Sequence, residues 1–310
     1  MASKLIEQNQ NIWWDRQVDK LKKSVLITDL DNTLFDWVTL WYVCFTAMLD
    51  EISGISRIPI AALKPGIRQI HQRHGTSEYS FLIEELPQLQ EFLGGRPPLE
   101  VFRPAIEAYQ RKRRETLSLY PTVAETLLKA KGGGSLIVGY TESMAFYSNY
   151  RVRRLGLDGV FDFVFSPSDH EIPTNIPVET IRLYPRSHYE FRFTQQRHTP
   201  AGSLKPDPAV LADIVAHLKK TPSDCVYVGD SLHKDVAMAR DADVTDVFAR
   251  YGRAQHTEAY TLLKEVTHWT DAEVERERRI TEREVRPGII LDQSFGQLLE
   301  FIDFGNGNGR

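Results

Sequence analysis

Residues 24–30, Ser-Val-Leu-Ile-Thr-Asp-Leu, form a short apolar run that breaks off into an acidic cluster. Apolar side chains at successive positions, instead of alternate ones, predict a strand buried on both faces, as in a parallel sheet covered by helices. Similar runs recur at Ser135–Gly139, Phe161–Phe165, Cys225–Val228 and Val244–Ala249, with helical patterns near 122–131, 143–155, 207–219 and 234–241. Parallel neighbours need a crossover, and a helix supplies one. The alternation therefore predicts an α/β fold, a three-layer Rossmann-like parallel sheet. The carboxyl ends of strands in such a sheet converge on one crevice, where residues far apart in sequence meet.

One block interrupts the alternation. From 37 to 116 no strand pattern occurs; Trp37, Leu40, Trp41, Cys44, Phe45 and Met48 recur at helical spacing, and Pro59, Pro65, Pro87, Pro97 and Pro98 punctuate further helical pieces, the last near Pro104–Leu119. With 310 residues the chain has room for about two domains. We expect an α/β core at 24–36 and 117–304, an inserted all-helical domain at 37–116, an N-terminal extension at 1–23 and a disordered tail at 305–310. The apolar stretch Phe35–Leu49 is about fifteen residues, short of the roughly twenty that cross a bilayer, and reads as a buried helix. Gly132-Gly133-Gly134 precedes a strand and so predicts a helix C-terminal turn, not a phosphate loop.

Thirty-eight Lys and Arg against 42 Asp and Glu give a net charge of −4, which offers no pull toward nucleic acid or an acidic membrane face. The two cysteines, Cys44 and Cys225, are far apart, so neither a disulfide framework nor a structural zinc site is expected, and a reducing cytoplasm is the simplest location. Glu7, Asp15 and Asp19 interrupt any signal-peptide apolar block. Residues 166–203 follow no period; their Arg182, Arg186, Arg192 and Arg197 suit either a surface excursion or a cationic flap over an anionic substrate. The Glu- and Arg-rich stretch 272–285 predicts a solvated helix, and His71 and His74, lacking acidic or cysteine partners, a solvated helix face.

Four short segments carry side chains suited to phosphoryl transfer, three of them at the end of an apolar run. In Asp29-Leu30-Asp31-Asn32-Thr33, two carboxylates spaced two apart on an extended chain point the same way, and adjacent acids need a cation or a shared proton. Thr141, after the strand Leu136–Tyr140, offers a hydroxyl to a phosphate oxygen. Lys205 is a cation just before a helix that Pro206 and Pro208 help to start. Val228-Gly229-Asp230-Ser231-Leu232-His233-Lys234-Asp235 brings two more carboxylates, with a glycine that permits close approach. Each segment alone has an ordinary explanation as a turn, a strand hydroxyl or a helix start. Their order is what carries information. No Gly-x-Gly-x-x-Gly follows the first strand, so no dinucleotide cofactor is expected.

In this order the segments match Asp-x-Asp-x-Thr, Thr or Ser after the second strand, Lys, and Gly-Asp-x-x-x-x-Asp, and the sequence resembles the haloacid dehalogenase-like (HAD) superfamily. The resemblance covers about 24–36 and 117–250, and the helical block fits the cap that one branch inserts after the first motif. It implies a HAD-like core acting as a Mg²⁺-dependent phosphatase on a small soluble phosphomonoester, most like the phosphoglycolate phosphatase branch. Asp29 would be the nucleophile and Asp31 the general acid and base. Mg²⁺ would be held by Asp29, the main-chain carbonyl of Asp31 and Asp230, with Asp235 holding the metal's outer shell or Lys205. Thr141 and Lys205 would bind the phosphoryl oxygens. Glu142 stands where the family often has Asn and brings negative charge to that phosphate site. Asp31 favours phosphate esters over halides, because a halide leaves without a proton. A phosphomutase of the same superfamily, or a non-catalytic binding protein on this scaffold, are the alternatives.

Overall fold

In a computed structural model of the chain, which describes residues 19–169, 185–252, 257–270, 272, 275–276, 279 and 283–305, the sheet is parallel throughout. A short β1 (Leu21–Lys22) precedes β2 (Val25–Thr28), β3 (Leu136–Tyr140), β4 (Phe163–Ser166), β5 (Gln195–His198), β6 (Cys225–Gly229), β7 (Thr245–Ala249), β8 (Ile289–Leu291) and β9 (Ile302–Asp303). Seven of these make one sheet in the order β5-β4-β3-β2-β6-β7-β8, and β1 pairs separately with β9. Val25 and Ile27 enter one core layer with Val138, Tyr140 and Tyr227, while Leu26 enters the opposite layer with Ile137, Val226 and Val228. Both faces are dry, which is why the first strand reads as a continuous apolar run. The α/β class expected from the sequence is the one observed.

Four strands escaped the sequence reading. β5 is polar, Gln-Gln-Arg-His, and sits at a sheet edge, where pairing with β4 defines it and burial does not. β8 is three residues long, and β1 and β9 two each, too short for a period to register. β1 also draws residues 21–22, assigned to an extension, into the fold. Residues 170–184, with Arg182, half of the charged stretch 272–285, and the tail after Gly305 lie outside the described residues. Of the other arginines in the 166–203 excursion, Arg197 is held at the sheet edge by Gln195 and the Phe163 ring.

Between β2 and β3 the chain forms the helices Trp37–Ser56, Ile60–His74, Leu82–Glu85, Pro87–Leu93, Pro98–Val101 and Arg103–Thr116. The first begins where Asp36 accepts the N–H of Thr39 (2.8 Å) and stops at Arg57, whose φ of 63° leaves the helical region. At twenty residues it is longer than the fifteen-residue apolar stretch suggested, and by length and composition it could cross a membrane. Its length therefore does not set it apart from a spanning helix; its packing does. Leu40 and Cys44 enter the sheet core, while Trp41, Phe45, Leu49 and Ile52 enter a second core with Leu63, Ile67, Phe81 and Phe102.

A helix from the C-terminal part of the chain, Thr257–Val266, packs on this block, although the sequence boundaries assign it to the α/β core. Val266 joins the second core, and its carbonyl accepts Nδ1–H of His71 (2.6 Å). His71 is fully buried, contrary to the solvated face expected of it, and burial lowers its pKa to about 4. His74 is also sheltered, stacked on Tyr79 and 2.9 Å from Glu85.

Candidate active site

The site is built where β2 ends at the middle of the sheet. The N–H of Asp29 donates to the carbonyl of Val228 (2.9 Å), extending the ladder by one residue. The chain then turns sharply, with Asn32 at φ 58° and its Oδ1 accepting the N–H groups of Trp37 and Val38. That turn separates the two carboxylates that an extended segment would have aligned. Asp29 Oδ1 accepts from Nζ of Lys205 (2.6 Å) and its Oδ2 from the Thr33 hydroxyl (3.3 Å). Asp31 instead accepts from the Ser143 hydroxyl (2.5 Å) and from Arg151 (3.2 Å).

Asp230 and Asp235 reach Asp29 from β6. Each of the three acids places a carboxylate oxygen within 4.8 Å of the others. The single wide turn Leu232–Val236, opened by Ser231 capping the N–H of Lys234, folds Asp235 back against β6. Gly229 makes this approach feasible, since a Cβ there would lie 2.3 Å from the Asp235 carboxyl carbon. Tyr227 donates to Asp235 Oδ1 (2.9 Å) and the Ser231 N–H to its Oδ2 (3.1 Å). Lys205 also donates to Asp235 (2.9 Å), so one buried ammonium joins both acids.

The electrostatics follow from crowding three acids around one lysine. Burial pushes the Asp29 carboxyl up to about 7; Lys205 pulls against it, and Asp235 and Asp31 add to it. Asp230 is pushed well above the carboxylate range, by burial first and then by Asp235 and Asp29. Burial disfavours the charge on Lys205, but Asp235 and Asp29 outweigh burial and raise its pKa well above the usual value. A surplus of buried carboxylate with only oxygen donors is the set that a hard divalent cation such as Mg²⁺ relieves. Asp29, Asp230 and Asp235 fit such an ion. The side chain of Asp31 lies outside this triplet and faces Arg151, and the sequence reading assigns the ion only its main-chain carbonyl.

Thr141 follows β3 and is buried; its hydroxyl oxygen accepts the Ser143 N–H (3.0 Å), while its own proton has no acceptor among the described residues. Glu142, expected beside the phosphate, has both oxygens engaged elsewhere, by the Lys205 N–H (3.0 Å) and by Nζ of Lys234 (3.2 Å). It braces the backbone of Lys205, and Lys234 offsets its charge.

Arg151 and Glu78 were not singled out in the sequence. Arg151, on the helix Ala145–Arg154, is 4% exposed and pairs with Asp31 on one side and with Glu78 of the helical block on the other. No local pattern separates it from Arg153 and Arg154 beside it, since its partners lie 120 and 73 residues away. Ser143 had a weak signal, two residues after Thr141.

The sequence model of the haloacid dehalogenase-like hydrolases matches residues 23–243, and the chain belongs to this family. It is similar to a glyceraldehyde 3-phosphate phosphatase of Methanopyrus kandleri, 25% identical over 166 residues, 54% of this chain. The match spans 58% of that relative's length. A 2-haloacid dehalogenase from Pseudomonas syringae pv. Tomato DC3000 shares the fold, with a TM-score of 0.52 at 20% identity, covering 90% of this chain and 97% of that one. A predicted phosphoglycolate phosphatase from Haemophilus somnus 129PT gives a TM-score of 0.46 at 15% identity over the same shares.

Proposed function

We propose that the chain is a Mg²⁺-dependent phosphatase that hydrolyses a small phosphomonoester through an aspartyl-phosphate on Asp29. The observation that carries this reading is the buried Lys205 ammonium, 2.6 Å from Asp29 and 2.9 Å from Asp235, beside the carboxylate triplet. Asp29 attacks phosphorus, the ester P–O bond breaks, and the leaving oxygen takes its proton from Asp31. Asp31 then removes a proton from water, the water oxygen attacks phosphorus, and the bond to Asp29 breaks to return the free carboxylate. Lys205 and the unshared proton of Thr141 meet the negative oxygens of the transferring group, and Asp235 orients Lys205. Asp29, Asp230 and the main-chain carbonyl of Asp31 would hold Mg²⁺, which when bound offsets the carboxylate charge and polarises the phosphate oxygens. The helical block acts as a cap that keeps bulk water from the phosphorylated aspartate.

A halide leaves without a proton, so the presence of Asp31, oriented by Ser143 and Arg151, favours an ester over a haloacid. Asp31→Asn is expected to lower kcat for an alkyl phosphate by about 10²- to 10⁴-fold, the usual range for a general acid. For 4-nitrophenyl phosphate, whose leaving group needs no proton, the loss in the first step should largely vanish. Steady-state and burst kinetics with both esters check this, and equal losses in the first step would remove Asp31 from the acid's role.

Metal binding should also be legible in stability. The folded Asp29 holds its proton to about pH 7, against 3.8 for the ordinary carboxyl. Between these values the folded chain binds more protons than the unfolded one, so this group makes metal-free stability fall as pH rises through the window. A divalent ion displaces those protons, and its stabilisation grows over the same window. The rise in Tm on adding Mg²⁺ is thus expected to be larger at pH 8 than at pH 5. An equal rise at both would place the ion elsewhere.

A further inference from the structure

Asp31 receives only one nitrogen of Arg151. Nη1 lies 3.2 Å from Asp31 Oδ1 and 3.0 Å from the Ser143 hydroxyl, which itself donates to Asp31 Oδ2 (2.5 Å). The other amino group, Nη2, donates to Glu78 of the helical block. A guanidinium beside a carboxylate commonly gives it two parallel N–H bonds, and here Glu78 takes the second. Because the guanidinium is a rigid planar fork, fixing Nη2 on Glu78 also fixes the direction of Nη1. Little room is left for water to substitute, since the side chains of Arg151 and Glu78 are 5% and 7% exposed. Burial disfavours the charge on Arg151, but Glu78 first and Asp31 second outweigh it and raise its pKa.

Glu78 is itself held in place. It stands in the loop 75–81, between the helices Ile60–His74 and Leu82–Glu85. In the residue before it, the carbonyl of Ser77 accepts Nε1–H of Trp41 (3.0 Å) and the hydroxyl lies 2.9 Å from Nδ1 of His268. Two residues after it, the Ser80 hydroxyl lies 2.7 Å from that of Tyr147, on the helix that carries Arg151. The loop is thus pinned on both sides of Glu78, by the cap before it and by the core after it.

We infer that Glu78 is a positioning residue for the general acid: by taking Nη2 of Arg151 it stops the guanidinium from claiming both oxygens of Asp31, and so keeps that carboxyl free to meet the leaving oxygen. The cap therefore contributes to the chemical step as well as shielding it. The inference rests on the phosphatase reading above, with Asp31 as the acid, and adds what sets that acid in place.

The test measures kcat/KM for ethyl and 4-nitrophenyl phosphate with Mg²⁺, in the wild type, Glu78→Leu, Asp31→Asn and the double variant of the two. For both esters this constant covers the steps up to the aspartyl-phosphate, and only the alkyl ester needs the acid there. Glu78→Leu should lower the ethyl-to-nitrophenyl ratio by about 10- to 100-fold, the scale for a group displaced by about 1 Å. In the Asp31→Asn background the same substitution should leave the ratio unchanged, because no acid remains to be placed. A general loosening of the structure would lower both esters alike, in either background. If far-UV circular dichroism shows that Glu78→Leu does not fold, Glu78→Leu combined with Arg151→Met replaces the ion pair by apolar side chains, an exchange that buried pairs often tolerate, and the ratio should again fall. A ratio that Asp31→Asn lowers but that stays at the wild-type value in the folded Glu78 variant would overturn the inference and leave the phosphatase reading standing. Hydrolysis of neither ester by the wild type, or an Asp31→Asn loss equal for both, would instead overturn the reading on which the inference rests.

Discussion

Asp29→Asn is expected to lower kcat by roughly 10⁴-fold or more, the scale seen when a covalent nucleophile is removed. The amide keeps the shape of the carboxyl and can still accept from Lys205, so the fold should survive. Lys205 also retains Asp235 as a partner, 2.9 Å away. Far-UV circular dichroism and Tm should therefore stay close to those of the wild type while phosphate release disappears. A variant that loses activity by unfolding would show both changes together, and one that keeps turnover would remove Asp29 from the reaction.

Lys205→Met should cost about 3–5 kcal/mol of stability, the range for removing one partner of a buried ion pair. Lys205 is 2% exposed, and its ammonium is the one cation that hydrogen-bonds Asp29 or Asp235 among the described residues. Methionine fills much of the volume but leaves the carboxylates to repel one another without compensation. Urea titrations of both proteins, with and without Mg²⁺, measure the loss. The ion should restore part of it by supplying the missing positive charge, and activity should remain low because the phosphoryl oxygens lose their ammonium. A cost under about 1 kcal/mol would contradict the buried pairing, since that is the level of a surface pair.

The parts of this protein legible in its sequence are those in which one local pattern serves one physical demand. The run Val25–Ile27 is apolar and Thr28 after it is buried too, because both faces of β2 are covered, and the acids that follow mark the edge of the sheet. Gly229 and Asp235 are six residues apart and in contact, so their motif records a real approach. Long-range matches leave no such trace. Arg151 reads as one more basic residue on an amphipathic helix until Asp31 and Glu78 are seen on either side of it. His71 reads as polar until Val266, 195 residues later, covers it. Asp31 stands two residues after Asp29, yet the turn at Asn32 gives the two acids different partners. That turn has its own physical cause in the Asn32 side chain, which accepts the first free N–H groups of the helix Trp37–Ser56.

The account turns on phosphoryl transfer to Asp29, and acid quenching within the first turnover of a phosphorus-labelled ester tests that directly. With Mg²⁺ present, the label should be found on the peptide containing Asp29, be released by hydroxylamine as an acyl phosphate is, and be absent in Asp29→Asn and in chelator. Label on any other residue, or phosphate release by Asp29→Asn at the wild-type rate, would contradict it.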